Sequence, residues 1–394
     1  MLTLLNSSKI CTDVVEAIRA VVGDGTVPLH VPRFKGKEAD YLLDCLDSTF
    51  VSSVGEYVNR FESDLASFTG AKHVVAVVNG TAALHIALLL AGVQPGDEVF
   101  VPALTFVATA NAISYCHAFP HFVDSDIDTL GMSASALREH MQNIAICENG
   151  ICTNRETGRV IRAILPMHAF GCPADIESLR ELAKEFDLVL IEDAAESLGS
   201  YFKGKHTGTF GPVGTLSFNG NKIVTTGGGG AILIDDPELA RKAKHLTTTA
   251  KVAHRWEFVH DQLGYNYRMP NINAALGCAQ LEQLPVFLAQ KRALHDRYKQ
   301  AFASVDGIRL WSEPAHCTSN YWLQSLLLDE PDLALRDAIL AAANDAGLMT
   351  RPAWTLMHEL PMYAHMPRAQ LPVAQSIAAR LINIPSSAGL GVSG

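Results

Sequence analysis

Lys222 lies in the stretch Ser217-Phe218-Asn219-Gly220-Asn221-Lys222-Ile223-Val224-Thr225-Thr226, and the four glycines Gly227–Gly230 follow directly. Most lysines are solvated surface groups, but one set between small residues and two apolar runs is open to another role. Held in an apolar pocket, its amine would have a lowered pKa and could form a Schiff base with a carbonyl. The glycines are not a phosphate loop of the Walker kind, because the Lys-Ser/Thr pair that ends such a loop is missing. Asp193 ends the apolar run Leu188-Val189-Leu190-Ile191-Glu192-Asp193. A carboxylate at a buried strand end needs a cation or strong donors. It either caps a helix or serves as counter-ion to a protonated pyridine nitrogen, which turns that ring into an electron sink. Glu196 is close enough in sequence to hydrogen-bond near the same ring.

Asn79-Gly80-Thr81 separates the run Val74–Val78 from an apolar helical pattern over Ala82–Ala91. The glycine lets the backbone approach a phosphate, and the first amides of the helix point at it. The plainer reading is a good helix start with Thr81 as the cap.

These residues fall between alternating elements. Strands are expected at Val74–Val78, Glu98–Val101, Pro120–Val123, Val160–Leu165, Leu188–Ile191, Thr215–Phe218 and Ala231–Ile234. Helices are expected over Ala82–Ala91, Ala108–Cys116 and Pro173–Phe186, and a hairpin-like insertion over 147–160. The alternation predicts an α/β fold with a mainly parallel sheet covered on both faces. Ligands of such sheets bind beyond the carboxyl ends of the strands, where Gly80, Asp193 and Lys222 cluster. From about residue 270 the chain reads as mostly helical, a second and smaller domain.

The 394 residues are 48% hydrophobic and 18% charged, as in a globular chain large enough for two cores. The net charge of −10 gives no basic footprint for nucleic acid. None of the eight cysteines forms a C-x-x-C; a Cys147–Cys152 pair across the Asn149-Gly150 turn is possible, with buried free thiols the favoured reading. The first residues read as an amphipathic helix and not as a signal peptide. No apolar run is long enough to span a membrane, so a cytoplasmic protein is expected. His358-Glu359 lacks the second histidine of a zinc protease helix, and no metal is expected. His168 reads equally as a sugar-binding group or a satisfied core histidine, and Tyr321-Trp322 as domain packing.

The segments Gly80-Thr81-Ala82-Ala83-Leu84, Ile191–Ser197, Ser217–Gly230 and Gly264-Tyr265-Asn266-Tyr267-Arg268-Met269 occur in this order. Together with Pro166-Met167-His168-Ala169-Phe170-Gly171 they resemble the DegT-type nucleotide-sugar aminotransferases. His30–Phe34, Val51–Gly55 and Val78–Thr81 are most similar to the subgroup that makes UDP-linked 4-amino sugars of the bacillosamine and legionaminic acid routes. The resemblance implies the fold-type-I architecture of aspartate aminotransferase and pyridoxal 5'-phosphate as cofactor. It implies an N-terminal helical segment (1–30), a large cofactor domain (31–265) and a smaller C-terminal α/β domain (266–394). It implies that Lys222 carries the cofactor as a Schiff base and moves the proton between carbons, and that Asp193 pairs with the pyridine nitrogen. By the same resemblance Phe106 lies against the ring face and Gly80, Thr81 and Ser217 hold the phosphate. Glu196 meets the ring hydroxyl, although some relatives have glutamine there. Asn266 would reach the phosphate of the neighbouring subunit, which requires a homodimer. Arg268 is a candidate for the donor carboxylate, or for an ion pair at the dimer interface. The implied reaction moves an amine from L-glutamate to a nucleotide-linked 4-keto-6-deoxy sugar, with UDP-2-acetamido-2,6-dideoxy-4-ketohexose as the acceptor. The rivals are a sugar dehydratase on the same fold, in which histidine replaces the lysine, and a regulatory protein without turnover.

Overall fold

The computed structural model describes the backbone of residues 2–391 and the side chains from residue 9 onward. Helices α1 (Leu2–Val22), α2 (Glu38–Asp47) and α3 (Glu56–Thr69) precede the first strand. Strand β1 (His73–Val77) runs into α4 (Gly80–Leu90), and the rhythm continues with β2 (Glu98–Pro102), α5 (Val107–Tyr115), β3 (Phe119–Val123) and α6 (Ala134–Ile144). The hairpin β4 (Ala145–Glu148) and β5 (Ile151–Asn154) leads to β6 (Val160–Ile164), α7 (Ile176–Glu185) and β7 (Val189–Asp193). After the short strands β8 (Tyr201–Phe202) and β9 (Lys205–His206), β10 (Val213–Ser217) and β11 (Gly230–Ile234) complete the main sheet.

That sheet has the order β1-β11-β10-β7-β6-β2-β3, with the β4–β5 hairpin attached to β6. The run β10-β7-β6-β2-β3 is parallel throughout, and β11 lies antiparallel between β1 and β10. The expected mainly parallel sheet is therefore present. The residues of its central strands are nearly all buried because both faces are covered. Helix α4 buries nine of its eleven residues, which explains its apolar character all round. Its cap differs from expectation. Asn79, and not Thr81, takes the N-cap place, with its side-chain oxygen accepting from the Ala82 amide at 2.8 Å. Asparagine and threonine are both good caps, so sequence alone could not rank two neighbours.

Beyond β11 come α8 (Pro237–Thr247), the small hairpin β12 (Lys251–Val252) and β13 (Val259–His260), and the 31-residue helix α9 (Asn271–Ala301). Then follow β14 (Ile308–Leu310), β15 (Cys317–Thr318), β16 (Gln324–Leu328), α10 (Leu333–Asp345), β17 (Arg351–Pro352), α11 (Pro372–Ala378) and β18 (Leu381–Ile384). The C-terminal part is less helical than its pattern suggests: β14-β16-β18-β17 form a four-stranded antiparallel sheet, in keeping with the smaller α/β domain that the resemblance implies. Three of these strands have two to four residues, against five in the strands of the parallel run, too few to show alternation. Helix α9 joins two cores. Ala274, Cys278, Leu281 and Phe287 pack into the core under the main sheet, whereas Leu294, Tyr298 and Phe302 pack with Leu326, Leu328, Ile382 and Ile384.

The cysteine expectation is also corrected in one place. Cys147 and Cys152 face each other in the β4–β5 register and form a disulfide, while the other six are free. A turn that brings two positions directly opposite outweighs the general preference for free thiols. No helix among the described residues is long and apolar enough to cross a membrane.

Candidate active site

The carboxyl ends of β7 and β10 and the start of α4 converge on one edge of the main sheet. Asp193 is the last residue of β7 and Ser217 the last of β10, and Gly230 lies in register between Ser217 and Val77. A cavity of about 280 Å³ opens there, lined by Gly80, Thr81, Phe106, Asp193, Glu196, Ser217 and Lys222 among others. These residues, spread over more than 140 positions, are the ones singled out from sequence order, and folding brings them together.

The end of the cavity at the α4 N-terminus is tight. A Cβ on Gly80 would come within 2.9 Å of Ser217 Cβ, and one on Gly230 within 2.5 Å of the Asn79 carbonyl oxygen. The backbones can approach only because both residues are glycine. Asn79 occupies the amides of Ala82 and Ala83, so those of Gly80 and Thr81 head the helix as donors toward an anion.

Asp193 is 2% exposed. Its Oδ2 accepts from the Thr109 hydroxyl at 2.8 Å and its Oδ1 from the Ala195 amide at 3.1 Å. Burial pushes its carboxyl above the ordinary range, against those two bonds and the positive charge of Lys222. A second cation or N–H donor in the cavity would favour its ionised form. Phe106 precedes α5 and remains 47% exposed, with its ring toward the cavity. An apolar ring left uncovered beside a buried carboxylate suits a flat heterocycle with a basic nitrogen.

The Lys222 amine has partners, and is not in the purely apolar pocket expected from sequence. Nζ donates to Glu196 Oε1 at 3.1 Å and lies 4.1 Å from the centre of the Trp322 ring. Glu196 is itself buried, and burial raises its pKa against the pull of Lys222 and of the Phe170 amide, which donates to Oε2 at 2.8 Å. An amine, two buried carboxyls, an anion-binding helix start and a free aromatic face fit pyridoxal phosphate.

Three of the sequence candidates lie elsewhere in the chain. His168 is fully buried, with Nε2 3.2 Å from Glu192 and Nδ1 accepting from the Ala174 amide. It is a satisfied core histidine whose backbone amide bonds the Asp193 carbonyl, and it lies outside the cavity's lining. Arg268 donates to Glu62 at 2.6 Å and to the Ala76 carbonyl at 2.9 Å, behind β1. It is an ion pair within the chain, and its guanidinium, committed to Glu62 and the Ala76 carbonyl, lies outside the cavity's lining. Asn266 is exposed, bridged to Thr248, and lies outside its own chain's cavity.

Sequence reading missed Thr109, Trp322 and Trp354. Thr109 is one helical turn beyond Phe106, a spacing that could have revealed it. Trp322 was assigned to domain packing. Tyr321 does pack that way, stacked on His295 at 4.0 Å, but Trp322 and Trp354 line the cavity. Both come from the C-terminal part, and no local pattern marks them.

Residues 32–392 match the family model described as the DegT/DnrJ/EryC1/StrS aminotransferase family. The chain is 39% identical over 360 residues to a GDP-perosamine synthase of Escherichia coli O157:H7, covering 91% of this chain and 93% of the relative. Among solved structures, the aminotransferase TlmJ of Streptoalloteichus hindustanus superposes with a TM-score of 0.83 at 31% identity, covering 92% of this chain and 94% of that one. A DegT/DnrJ/EryC1/StrS aminotransferase of Brucella abortus gives a TM-score of 0.80 at 28% identity, covering 89% and 90%. The chain belongs to the DegT/DnrJ/EryC1/StrS aminotransferase family and is a pyridoxal-phosphate-dependent sugar aminotransferase.

Proposed function

We propose that the chain transfers an amino group from L-glutamate to C4 of a nucleotide-linked 4-keto-6-deoxy sugar, with Lys222 as the residue that bears the cofactor. The observation that carries this reading is the meeting of the Lys222 amine, the buried Asp193 carboxyl and the α4 N-terminus around one cavity. Bound pyridoxal phosphate supplies a carbonyl that condenses with amines and a ring that takes up the electron pair released at the reacting carbon. Asp193 would hold a proton at the ring nitrogen, Gly80, Thr81 and Ser217 would hold the phosphate, and Phe106 would lie against the ring. The Lys222 amine would take the proton from one carbon and return it to another. Glu196 holds that amine in reach. A lysine here favours amine transfer over dehydration, because a dehydratase of this kind has histidine in its place.

The nucleotide has two readings. The name of the Escherichia coli relative supports a GDP-linked sugar. The subgroup motifs around His30, Val51 and Val78 support UDP-2-acetamido-2,6-dideoxy-4-ketohexose. A panel of nucleotide 4-ketosugars, assayed with L-glutamate for the aminated product, separates them. Failure of every 4-ketosugar in that panel would refute the proposed acceptor class.

The proposal includes a homodimer. Asn266 follows a hairpin on which Trp256 and Phe258 are 67% and 78% exposed, with Leu263 79% exposed nearby. Exposed apolar groups this close together favour a covering partner, and a second copy would bring Asn266 toward the other chain's phosphate pocket. Light scattering of the purified protein tests the dimer directly.

A further inference from the structure

Lys291 projects from α9 and is fully buried behind the cavity, outside its lining. Its Nζ donates to three main-chain carbonyls, those of Tyr321 at 3.2 Å, Trp322 at 3.0 Å and Ser386 at 2.6 Å. Burial pushes the amine's pKa well below the ordinary lysine range. The three acceptors act the other way, because only the ammonium has three N–H donors to satisfy them. A buried cation is costly unless it is held like this, and a chain needing only bulk at this place could use an aliphatic residue.

The segment gripped by Lys291 is the one that touches Lys222. Trp322 donates its indole Nε1–H to the Asn221 carbonyl at 2.8 Å, and its ring lies 4.1 Å from Lys222 Nζ. The backbone just before Lys222 and the amine itself are thus both held by one indole. Ser386, the third acceptor's residue, bonds the Leu29 carbonyl through its amide and the Gln324 amide through its hydroxyl. One ammonium therefore ties α9, the Trp322 segment and the Ser386 segment into a single support.

We infer that Lys291 is a positioning residue for the reaction: through Trp322 it sets the place of the Lys222 amine. This rests on the reading of Lys222 as the cofactor-bearing lysine.

A double-mutant cycle on the full-length, cofactor-loaded protein tests it, using Lys291→Gln, Trp322→Phe and the pair. The rate is that of the absorbance change on mixing with L-glutamate, in a single turnover. Each single variant should be slower by about tenfold or more, the scale on which a slightly misplaced catalytic group loses rate. The double variant should match the slower single within about twofold, because both changes act through one contact. In cofactor-free protein, labelling of Lys222 by acetic anhydride, read by peptide mass spectrometry, should be faster in both variants because the amine loses its cover. A wild-type rate in Lys291→Gln, or a double variant slowed by the product of the two single effects, would overturn the inference. Lys291→Met enters the same cycle where Lys291→Gln does not fold, and a wild-type rate there overturns it equally. Reductive trapping of the cofactor at a lysine other than 222 in the wild type would instead overturn the underlying reading, a result separate from any failure of the cycle.

Discussion

Lys222 Nζ and Glu196 Oε1 lie 3.1 Å apart, and the second oxygen of the same carboxylate accepts from the Phe170 amide. Glu196 therefore serves an amine at the cavity wall and a buried backbone donor at once. Its two oxygens are both needed while the amine is free.

Glu196→Gln offers one acceptor oxygen where two donors wait. We expect it to cost the cofactor-free protein about 1–3 kcal/mol, the scale of an unmet buried donor. The penalty should shrink when the cofactor is bound, because the Lys222 amine is then engaged elsewhere. Thermal melts of both forms, with and without cofactor, check the difference.

Asp193 should show opposite signs in stability and activity. Burial holds its pKa above the ordinary range in the folded protein. A group raised on folding contributes stability that is fully present below its unfolded pKa and lost as pH rises through the folded value. At neutral pH the cofactor-free Asp193→Asn variant should therefore be at least as stable as wild type. Its turnover should fall by about 10²–10³-fold, as for loss of a preorganised electrostatic partner. Melts at neutral and acid pH, alongside steady-state rates, test both halves.

Glu98 sets an acid limit on stability far from the cavity. Burial pulls its pKa up, but the bonds from His121, Asn154 and Thr157 outweigh burial and hold it at about 2. Its folded value lies below the unfolded one, so the stability is present above the ordinary carboxylate range. It is lost as pH falls from 4.5 toward about 2. Glu98→Gln should lose on the order of 3 kcal/mol at neutral pH and should show a flatter acid limb in denaturant titrations.

Reduction of the Cys147–Cys152 pair should spare activity. The hairpin joins β6 at Val160 and Ile161, the amino end of that strand, whereas the cavity lies beyond the carboxyl ends. The double Cys→Ser variant should lose about 2 kcal/mol, the value for so short a loop. A drop in turnover larger than about twofold would show a coupling to the site that the topology does not provide.

The site was legible where strand ends meet motifs. Asp193, Lys222 and Gly80 stand after apolar runs whose length and order fix the sheet, and the sheet fixes which edge binds ligands. Arg268 and His168 misled because sequence shows a charged or polar side chain but not whether a buried partner, here Glu62 or Glu192, already holds it. Trp354 and Lys291 carry no local signal, and Trp322 only one for packing, for another reason. They reach the cavity or its support only because α9 carries the C-terminal part back against the main sheet, and no local spacing encodes that return. The β14-β16-β18-β17 sheet, expected only through the resemblance to an α/β C-terminal domain, left no local pattern because three of its strands have four residues or fewer, too few to show alternation.

Borohydride reduction of the cofactor-loaded protein, followed by digestion and mass spectrometry, tests the central claim most directly. The reduced cofactor is expected on one peptide, attached at Lys222, and Lys222→Ala is expected to trap none while melting as a folded protein. Attachment at any other lysine, or trapping and turnover retained in Lys222→Ala, would contradict it.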